Sequence, residues 1–499
     1  MTLHFGTAGV RAPLGPGPSR MNEGTVALVA TAVARHLREH EPAGSLVVVA
    51  GDARHGSERF VGVACRVLAA HGLVVVTPGA PVPTPVLAAA VRARGAVAGL
   101  MVTASHNPAG DNGIKVYGAS GAQIVPPTDA AIEQHLVAAA RRRVAAPDAA
   151  GLSGATRGVE VDPTLDDDYV AALVAGLPRP ATPPRVALTP VHGVGGEVCR
   201  RVLGAIGVED VTLVPEQAEP DPDFPTVASP NPERPETTAR LLEMAARIDA
   251  DVALALDPDA DRCATGFRDR DGRWRMLDGD TAGALLADHL LTTALPGSTT
   301  GAGAPVVAST IVSSRLPSLL VPARGGRHVE TLTGFKWLVR AGEPLRYAYE
   351  EAIGHSVLPG IVADKDGISA AAAWCGMVGT GRGVADRLDG LDAEFGAHLR
   401  RNVPIPLGAG DDPVEALRRA AGRLTSSGVV TPLAGTAGFR LDPDSARAVV
   451  RPSGTEPLLK VYTEAWTGPR PSGAERAAAA ERLEALAAEV LRAASSPRG

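Results

Sequence analysis

Ala96-Val97-Ala98-Gly99-Leu100-Met101-Val102 runs straight into Thr103-Ala104-Ser105-His106-Asn107-Pro108, and Asp111-Asn112-Gly113-Ile114-Lys115-Val116-Tyr117 follows. The unbroken apolar run has the character of a strand covered on both faces, the mark of a parallel sheet. A strand of this kind that ends in small and polar residues delivers side chains to the carboxyl edge, where open α/β sheets hold their chemistry. Ser105 is then a candidate nucleophile, and His106 and Lys115 are candidates to supply protons or positive charge. The same residues also suit an ordinary loop, with Ser105 as a helix N-cap and Asn107-Pro108 as a turn.

Working toward the N-terminus, helical periodicity covers 25–40 and 57–71, with apolar strands at 46–50 and 73–76. This βαβ alternation predicts a parallel or mostly parallel sheet with Ser105 at the end of its third strand. Before it lies Phe5-Gly6-Thr7-Ala8-Gly9-Val10-Arg11, a glycine-containing loop that carries one arginine. Residues 140–155 form an Ala/Arg/Gly-rich surface stretch, and the proline-rich 177–184 suits a linker.

The whole chain has 499 residues, too many for one core, and its 45% hydrophobic and 21% charged content is that of a globular protein. The formal net charge of -6 excludes a general nucleic-acid binder, which needs a basic face, but leaves room for a local basic pocket. Cys65, Cys199, Cys263 and Cys375 are scattered without a C-x-x-C pair, so reduced thiols are expected and neither a zinc site nor a disulfide framework. The N-terminus lacks the basic and apolar regions of a signal peptide, and no apolar run is long enough to span a bilayer. The expected location is the cytoplasm.

Beyond the linker, Arg185 to Leu188 reads as a strand, followed by Thr189-Pro190-Val191-His192-Gly193-Val194-Gly195-Gly196. This loop imitates a dinucleotide fingerprint, but Val198 stands where the third Gly or Ala belongs, so a nicotinamide cofactor is not expected. Proline-rich loops at 221–226 and 229–233 precede a strand at 251–256. That strand delivers Asp257-Pro258-Asp259-Ala260-Asp261-Arg262. Three carboxylates at alternate positions can converge on one hard cation, and an oxygen-only set points to Mg²⁺ or a similar ion. An EF-hand is excluded because its sixth and twelfth positions are Arg262 and Arg268. A solvated acidic loop is the competing reading. It requires three crowded acids at a buried strand end to tolerate one another without a cation.

Strands near 306–311 and 328–331 lead to Thr333-Gly334-Phe335-Lys336-Trp337. Beyond them come Glu350-Glu351-Ala352-Ile353-Gly354-His355 and Asp364-Lys365-Asp366-Gly367. Carboxylates and a histidine at a strand end suit sugar hydroxyls, and Lys336 and Lys365 suit a phosphate, although solvated charges on a surface hairpin would look alike. Residues 367–388 read as largely helical. Arg451-Pro452-Ser453-Gly454-Thr455-Glu456-Pro457 combines an arginine, two hydroxyls and a glycine N–H, a compact set of phosphate donors. It is no Walker A loop, and it also fits a plain turn before the strand at 458–462. The helix at 474–494 places Leu483, Leu486, Val490 and Leu491 on one face and reads as structural.

Taken in order, the motifs at 103–108, 257–262, 334–337, 350–354 with 364–367, and 451–457 resemble those of the α-D-phosphohexomutase superfamily, the phosphoglucomutase/phosphomannomutase group. The 5–11 opening and the Glu-Glu-Ala-Ile-Gly form are similar to the subgroup with phosphopentomutase-like members. The resemblance implies an α/β protein with four domains around a central cleft. Three would share a mixed α/β sandwich topology, and the C-terminal domain would be TATA-binding-protein-like. On this division, 1–183 holds the phosphoserine loop, 184–299 the metal loop, 300–402 the sugar-binding loop and 403–499 the phosphate-binding loop.

It further implies a mutase that interconverts sugar 1-phosphate and sugar 6-phosphate (glucose or mannose) through a phosphoserine and a sugar 1,6-bisphosphate. The alternatives are a phosphopentomutase and a sugar 1,6-bisphosphate synthase. Carried over by position, the catalytic set is Ser105, His106, Lys115 and Arg11. One Mg²⁺ per chain is held by Asp257, Asp259, Asp261 and the phosphate on Ser105. Arg262, Gly334, Lys336, Glu350, Glu351 and Lys365 fall to the substrate, and Arg451, Ser453, Gly454 and Thr455 to its phosphate. The partner is a small phosphorylated sugar, with no nucleic acid or membrane, acting on a monomer or dimer. Many relatives carry Gly-Glu-x-Ser-Gly-His at the sugar loop; Ile353 takes the serine's place here, which implies one lost hydroxyl contact.

Overall fold

The computed structural model describes residues 9–141, 158–293, 303–408, 411–424, 429–453 and 458–495. The expected surface stretch at 140–155 lies almost wholly outside them, as do Phe5 to Ala8, Gly454 and Thr455.

The first sheet contains β1 (Val10–Pro13), β2 (Leu46–Gly51), β3 (Val74–Thr77), β4 (Ala98–Val102), β5 (Asp111–Gly118) and β6 (Val159–Val161). Its spatial order is β1-β5-β4-β2-β3-β6. Helices α1 (Glu23–His40), α2 (Ser57–Ala70), α3 (Thr84–Ala93), α4 (Thr128–Arg141) and α5 (Leu165–Gly176) accompany it. α1 opens two residues before its apolar periodicity because Asn22 caps it, its side chain accepting from Thr25 N at 3.0 Å. β2 alternates its faces: Val47 and Val49 join a core with α1 and α2, whereas Val48 and Ala50 join α3 in a core continuous with the second and third sheets. The sheet is mostly parallel, as expected, with one strand reversed. β2, β3, β4 and β6 are parallel, but β5 returns antiparallel on β4 with Lys115 opposite Met101. The loop from 103 to 110 is too short for a parallel crossover.

The second sheet, ordered β11-β10-β9-β7-β8, is built from β7 (Val186–Thr189), β8 (Val211–Leu213), β9 (Val252–Leu256), β10 (Cys263–Arg268) and β11 (Trp274–Met276), with α6 (Gly195–Ala205) and α7 (Pro235–Arg247). The third follows α8 (Gly279–Thr292). It pairs β12 (Val306–Thr310), β13 (Arg327–Thr331), β14 (Leu345–Glu350) and β15 (Gly354–Ser356) in the order β13-β12-β14-β15. α9 (Leu316–Ala323), α10 (Phe335–Leu338), α11 (Gly367–Val378) and α12 (Val384–Phe395) complete it. The helical segment expected over 367–388 is thus two helices, parted at Gly379, Gly381 and Gly383.

The last sheet is antiparallel throughout: β16 (His398–Pro406), β20 (Leu458–Trp466), β19 (Ala446–Pro452), β18 (Phe439–Asp442) and β17 (Val429–Pro432) in spatial order. α13 (Pro413–Arg423) and α14 (Gly473–Ser495) pack on it, with Leu483, Leu486 and Val490 of α14 in the core. The expected division at 402/403 falls inside β16.

A single device recurs. In each of the first three sheets a parallel strand hands over to an antiparallel one: β4 to β5, β9 to β10, β14 to β15. The connecting loops are those of Ser105, of Asp257 to Arg262, and of Glu351 to Ile353. No helix among the described residues is long and apolar enough to cross a membrane.

Candidate active site

The Ser105 loop is held from below by a residue pair on the neighbouring strand end. Thr103 Oγ1 donates to Asp52 Oδ2 at 2.6 Å and accepts from Ser105 N at 2.8 Å. Arg54, ion-paired with Asp52 at 3.4 Å, donates to the carbonyl oxygens of Ser105 and Asn107 (both 2.5 Å), Pro108 (2.8 Å) and Asp111 (3.2 Å). Burial pushes the Asp52 carboxyl up and the Arg54 guanidinium down, and each opposes the other's shift by pairing. Ser105 sits at φ 53, a left-handed conformation costing about 1–2 kcal/mol for a residue with a Cβ. Sequence reasoning passed over Arg54. Its signal was Gly51-Asp52-Ala53-Arg54 at the carboxyl end of the strand parallel to β4.

Ser105 Oγ donates to Asp257 Oδ2 at 2.7 Å and lies 3.3 Å from His106 Nδ1. Burial, then the nearby Arg262 and Arg11, holds His106 well below the usual imidazole range, so it is neutral and supplies no positive charge at neutral pH. Arg11 on β1 reaches Asn107 Oδ1 at 3.5 Å, and its buried Nε has no partner.

Asp257, Asp259 and Asp261 are fully buried and each brings an oxygen within 4.8 Å of the others'. Lys115 Nζ bridges Asp259 Oδ2 (2.6 Å) and Asp261 Oδ2 (2.5 Å), Lys365 Nζ reaches Asp261 Oδ2 at 3.1 Å, and Thr84 Oγ1 donates to Asp259 Oδ2 at 2.5 Å. Burial raises Asp257 well above the carboxylate range, with Asp261 and Asp259 adding to the rise. Burial also acts on Asp261, but Lys115, Lys365 and Arg262 together hold it well below. Asp259 Oδ1 and Asp261 Oδ1 are left buried without a hydrogen-bond donor. Two orphaned carboxylate oxygens in an all-oxygen cluster fit a hard divalent cation such as Mg²⁺.

The glycine loop that imitates a dinucleotide site serves this cluster instead. A Cβ on Gly193 would stand 2.3 Å from Pro258 Cα, and one on Gly195 2.5 Å from Ala260 Cβ. The glycines let β7's loop lie directly beneath the aspartate loop, where Val194 N donates to Pro258 O at 2.9 Å.

The sugar-loop residues divide. Arg262 and Gly354 form a β-bridge that joins the second and third sheets, and Arg262 Nη1 donates to Ala352 O at 3.1 Å. Glu350 lies 3.8 Å from Arg262 Nη2. Glu351 Oε2 accepts from Thr310 Oγ1 at 3.0 Å. Lys336 is turned elsewhere, 3.6 Å from Asp129 on α4, while Gly334 (φ 108) starts the short α10. One expectation changes. His355 is buried against Tyr347 OH at 2.7 Å and pushed down to about 3 by burial, so it belongs to the core and not to a sugar. Ile353 buries its side chain in the apolar cluster containing Ala264 and Met276 of the second domain; it anchors the loop there.

The fourth domain reaches the third-domain loop that carries Glu351. Arg451 stacks 5.6 Å from the Tyr462 ring and donates to its hydroxyl at 3.1 Å; Ser453 N donates to Leu458 O at 2.9 Å. Burial pushes the Tyr462 hydroxyl up, and Glu351 adds to the rise, so β20 faces the Glu351 loop. A buried ion network locks the third and fourth domains: Glu464 accepts from Ser314 Oγ (2.5 Å), Arg447 Nε (2.8 Å) and His398 Nδ1 (3.1 Å), and Arg400 pairs with Asp280.

Family models described as phosphoglucomutase/phosphomannomutase alpha/beta/alpha domains I, II and III and C-terminal domain match residues 2–143, 167–270, 278–393 and 407–492. The "Probable phosphomannomutase" of Haemophilus influenzae is 32% identical over 483 residues, covering 91% of this chain and 95% of that protein. The phosphopentomutase of Homo sapiens is 33% identical over 425 residues (80% and 69%), and the phosphoglucomutase of Staphylococcus haemolyticus 30% over 503 residues (92% and 90%). Among solved structures, a phosphoglucomutase/phosphomannomutase family protein from Burkholderia thailandensis superposes with a TM-score of 0.77 at 21% identity, covering 100% of this chain and 99% of that one.

Proposed function

The chain belongs to the phosphoglucomutase/phosphomannomutase family, and from that premise we propose that it is a phosphosugar mutase, exchanging the phosphoryl group between O1 and O6 of glucose or mannose phosphate. The observation that carries this reading is the buried contact of Ser105 Oγ with Asp257, in one cluster with Asp259, Asp261 and Lys115. Ser105 carries the phosphoryl group. A sugar hydroxyl attacks it, the phosphorus–Oγ bond breaks and a phosphorus–oxygen bond to the sugar forms. The hydroxyl proton passes to Lys115 as the general base, and Ser105 Oγ takes up a proton as it leaves phosphorus, so the transfer is proton-neutral. The resulting 1,6-bisphosphate turns end for end and returns its other phosphoryl group to Ser105.

Asp257, Asp259 and Asp261 would hold Mg²⁺, which when bound draws negative charge from the phosphoryl oxygens. Arg11 and Arg262 supply fixed positive charge beside the serine, and transfer of this kind depends on positioning and electrostatics more than on covalent help. Glu351 takes sugar hydroxyls, and Arg451 and Ser453, with Gly454 and Thr455, take the distal phosphate.

A pentose substrate is favoured by one observation: residue 353 offers no hydroxyl to a hexose and is spent on packing. A rate panel with glucose, mannose and ribose 1-phosphates, primed with bisphosphate and Mg²⁺, tests the proposal. A leading hexose supports it, and a leading ribose transfers it to the pentose form. No turnover despite phosphorylated Ser105, with bisphosphate released from an acyl-phosphate donor, replaces it with a bisphosphate synthase.

A further inference from the structure

The proline-rich loop at 229–233 has no part in the chemistry above, yet it ends beside the sugar loop. A cavity of about 220 Å³ opens where three domains meet, and Glu233, Asp280, Glu351, Ile353, Arg400 and Asn402 are among its walls. Glu233 is held rigidly. Its own N–H and the loop are tied by Asn231 Oδ1 at 3.0 Å, Thr237 Oγ1 clamps Ser229 O at 2.9 Å, and prolines at 230, 232 and 235 restrict the backbone. Its carboxylate is 38% exposed and faces the cavity; Arg262 Nη1, at 3.6 Å, is beyond hydrogen-bond range. Glu351 and Lys460 add to the field around it from the third and fourth domains.

Arg400 supplies an independent observation. Its side chain is 8% exposed, with one end on Asp280 and Nη2 on Val312 O at 2.8 Å; the residue lines the cavity, and its buried Nε has no hydrogen-bond partner. Carboxylates and an orphaned donor around one void are satisfied together by a group that both donates and accepts. Hydroxyls do so, whereas a phosphate would be repelled by Glu233, Asp280 and Glu351. The apolar Ile353 and Met276 on another wall suit the C–H face of a sugar ring.

We infer that Glu233, on the second domain, is a specificity residue that reads a ring hydroxyl of the sugar opposite Glu351, with Arg400 Nε donating to a neighbouring oxygen. This deepens the mutase reading and rests on it for the identity of the ligand. The test compares wild type with Glu233→Gln against a hexose 1-phosphate and its 2-, 3- and 4-deoxy analogues. Turnover is read with the phosphorylated protein and calorimetric binding with the dephosphorylated one. A residue that reads one hydroxyl loses about 10- to 100-fold in affinity and kcat/KM with the parent sugar and with every analogue that keeps that hydroxyl. With the analogue lacking it, the substitution costs nothing. Equal losses for every analogue, or none, overturn the inference, since a merely structural role acts on all alike. Selective binding effects without turnover in wild type overturn the mutase reading and leave this inference standing.

Discussion

Ser105 Oγ and Asp257 Oδ2 stand 2.7 Å apart although 152 positions separate them in the chain, so the serine loop of one sheet and the aspartate cluster of another are parts of one hydrogen-bonded unit. The chemistry is a property of the assembly of domains.

Ser105→Ala removes the proposed phosphoryl carrier. Mutase turnover should fall to background and labelling from a sugar 1,6-bisphosphate should vanish, with the thermal midpoint little changed. Near-normal turnover in this variant defeats the assignment.

Asp259→Asn replaces one carboxylate that Lys115 and Thr84 hold in place. Added Mg²⁺ should raise the thermal midpoint of wild type, because a ligand of the native state stabilises it by mass action. The variant should lose this shift, along with about 100-fold or more in kcat. A full rate with an undiminished shift contradicts the cation cluster.

Arg54→Met leaves four carbonyl oxygens of the Ser105 loop without their donor and Asp52 without its cation. A loss of about 3–5 kcal/mol is expected from urea unfolding, as for a broken buried pair. The kcat should fall more than KM rises, because the loop positions the nucleophile and does not touch the sugar. Arg54→Lys should recover part of the stability. Unchanged stability in the methionine variant removes Arg54 from this role.

Three histidines of the third domain, the buried His289 and His355 and the half-buried His328, are pushed down by desolvation to about 4, about 3 and about 4. They are neutral when folded and take up a proton on unfolding below about 6.5. Their contribution to stability is whole above that value. It is lost as pH falls toward the folded values, at about 1.4 kcal/mol per pH unit for each histidine. Urea midpoints should therefore drop between pH 7 and pH 5, and His289→Gln should flatten the slope. Identical slopes in variant and wild type count against this account.

Three motifs, at Ser105, at Asp257 to Arg262 and at Glu351, could be read before any coordinates because each occupies a hairpin tip, where local residue type shows through. Ser105 and the three aspartates lie in one buried cluster, while Glu351 sits on its own loop against Thr310. What escaped was set by partners distant in the chain. His355 looks polar at a strand end but is covered by Tyr347, and Ile353, which offers no hydroxyl, packs into the second domain's apolar cluster. Lys336 is drawn to Asp129, more than 200 positions away. Arg54 and Glu233 lie in segments whose importance depends on which loop the fold sets against them. The turn of β5 against β4 followed from loop length, which hydrophobic pattern does not weigh.

Thr84 N bonds Asp259 O at 2.9 Å, Gly367 N bonds Ala260 O at 3.1 Å, and Arg262 bridges to Gly354. The aspartate loop is thereby stitched to both neighbouring domains through main-chain atoms. One consequence concerns the order of events in folding. Individual sheets of a large chain regain their local structure first, and inter-domain docking follows. After dilution from denaturant, helical signal should return early, and the capacity of Ser105 to accept a phosphoryl group should return last, with the final docking of three separately formed domains.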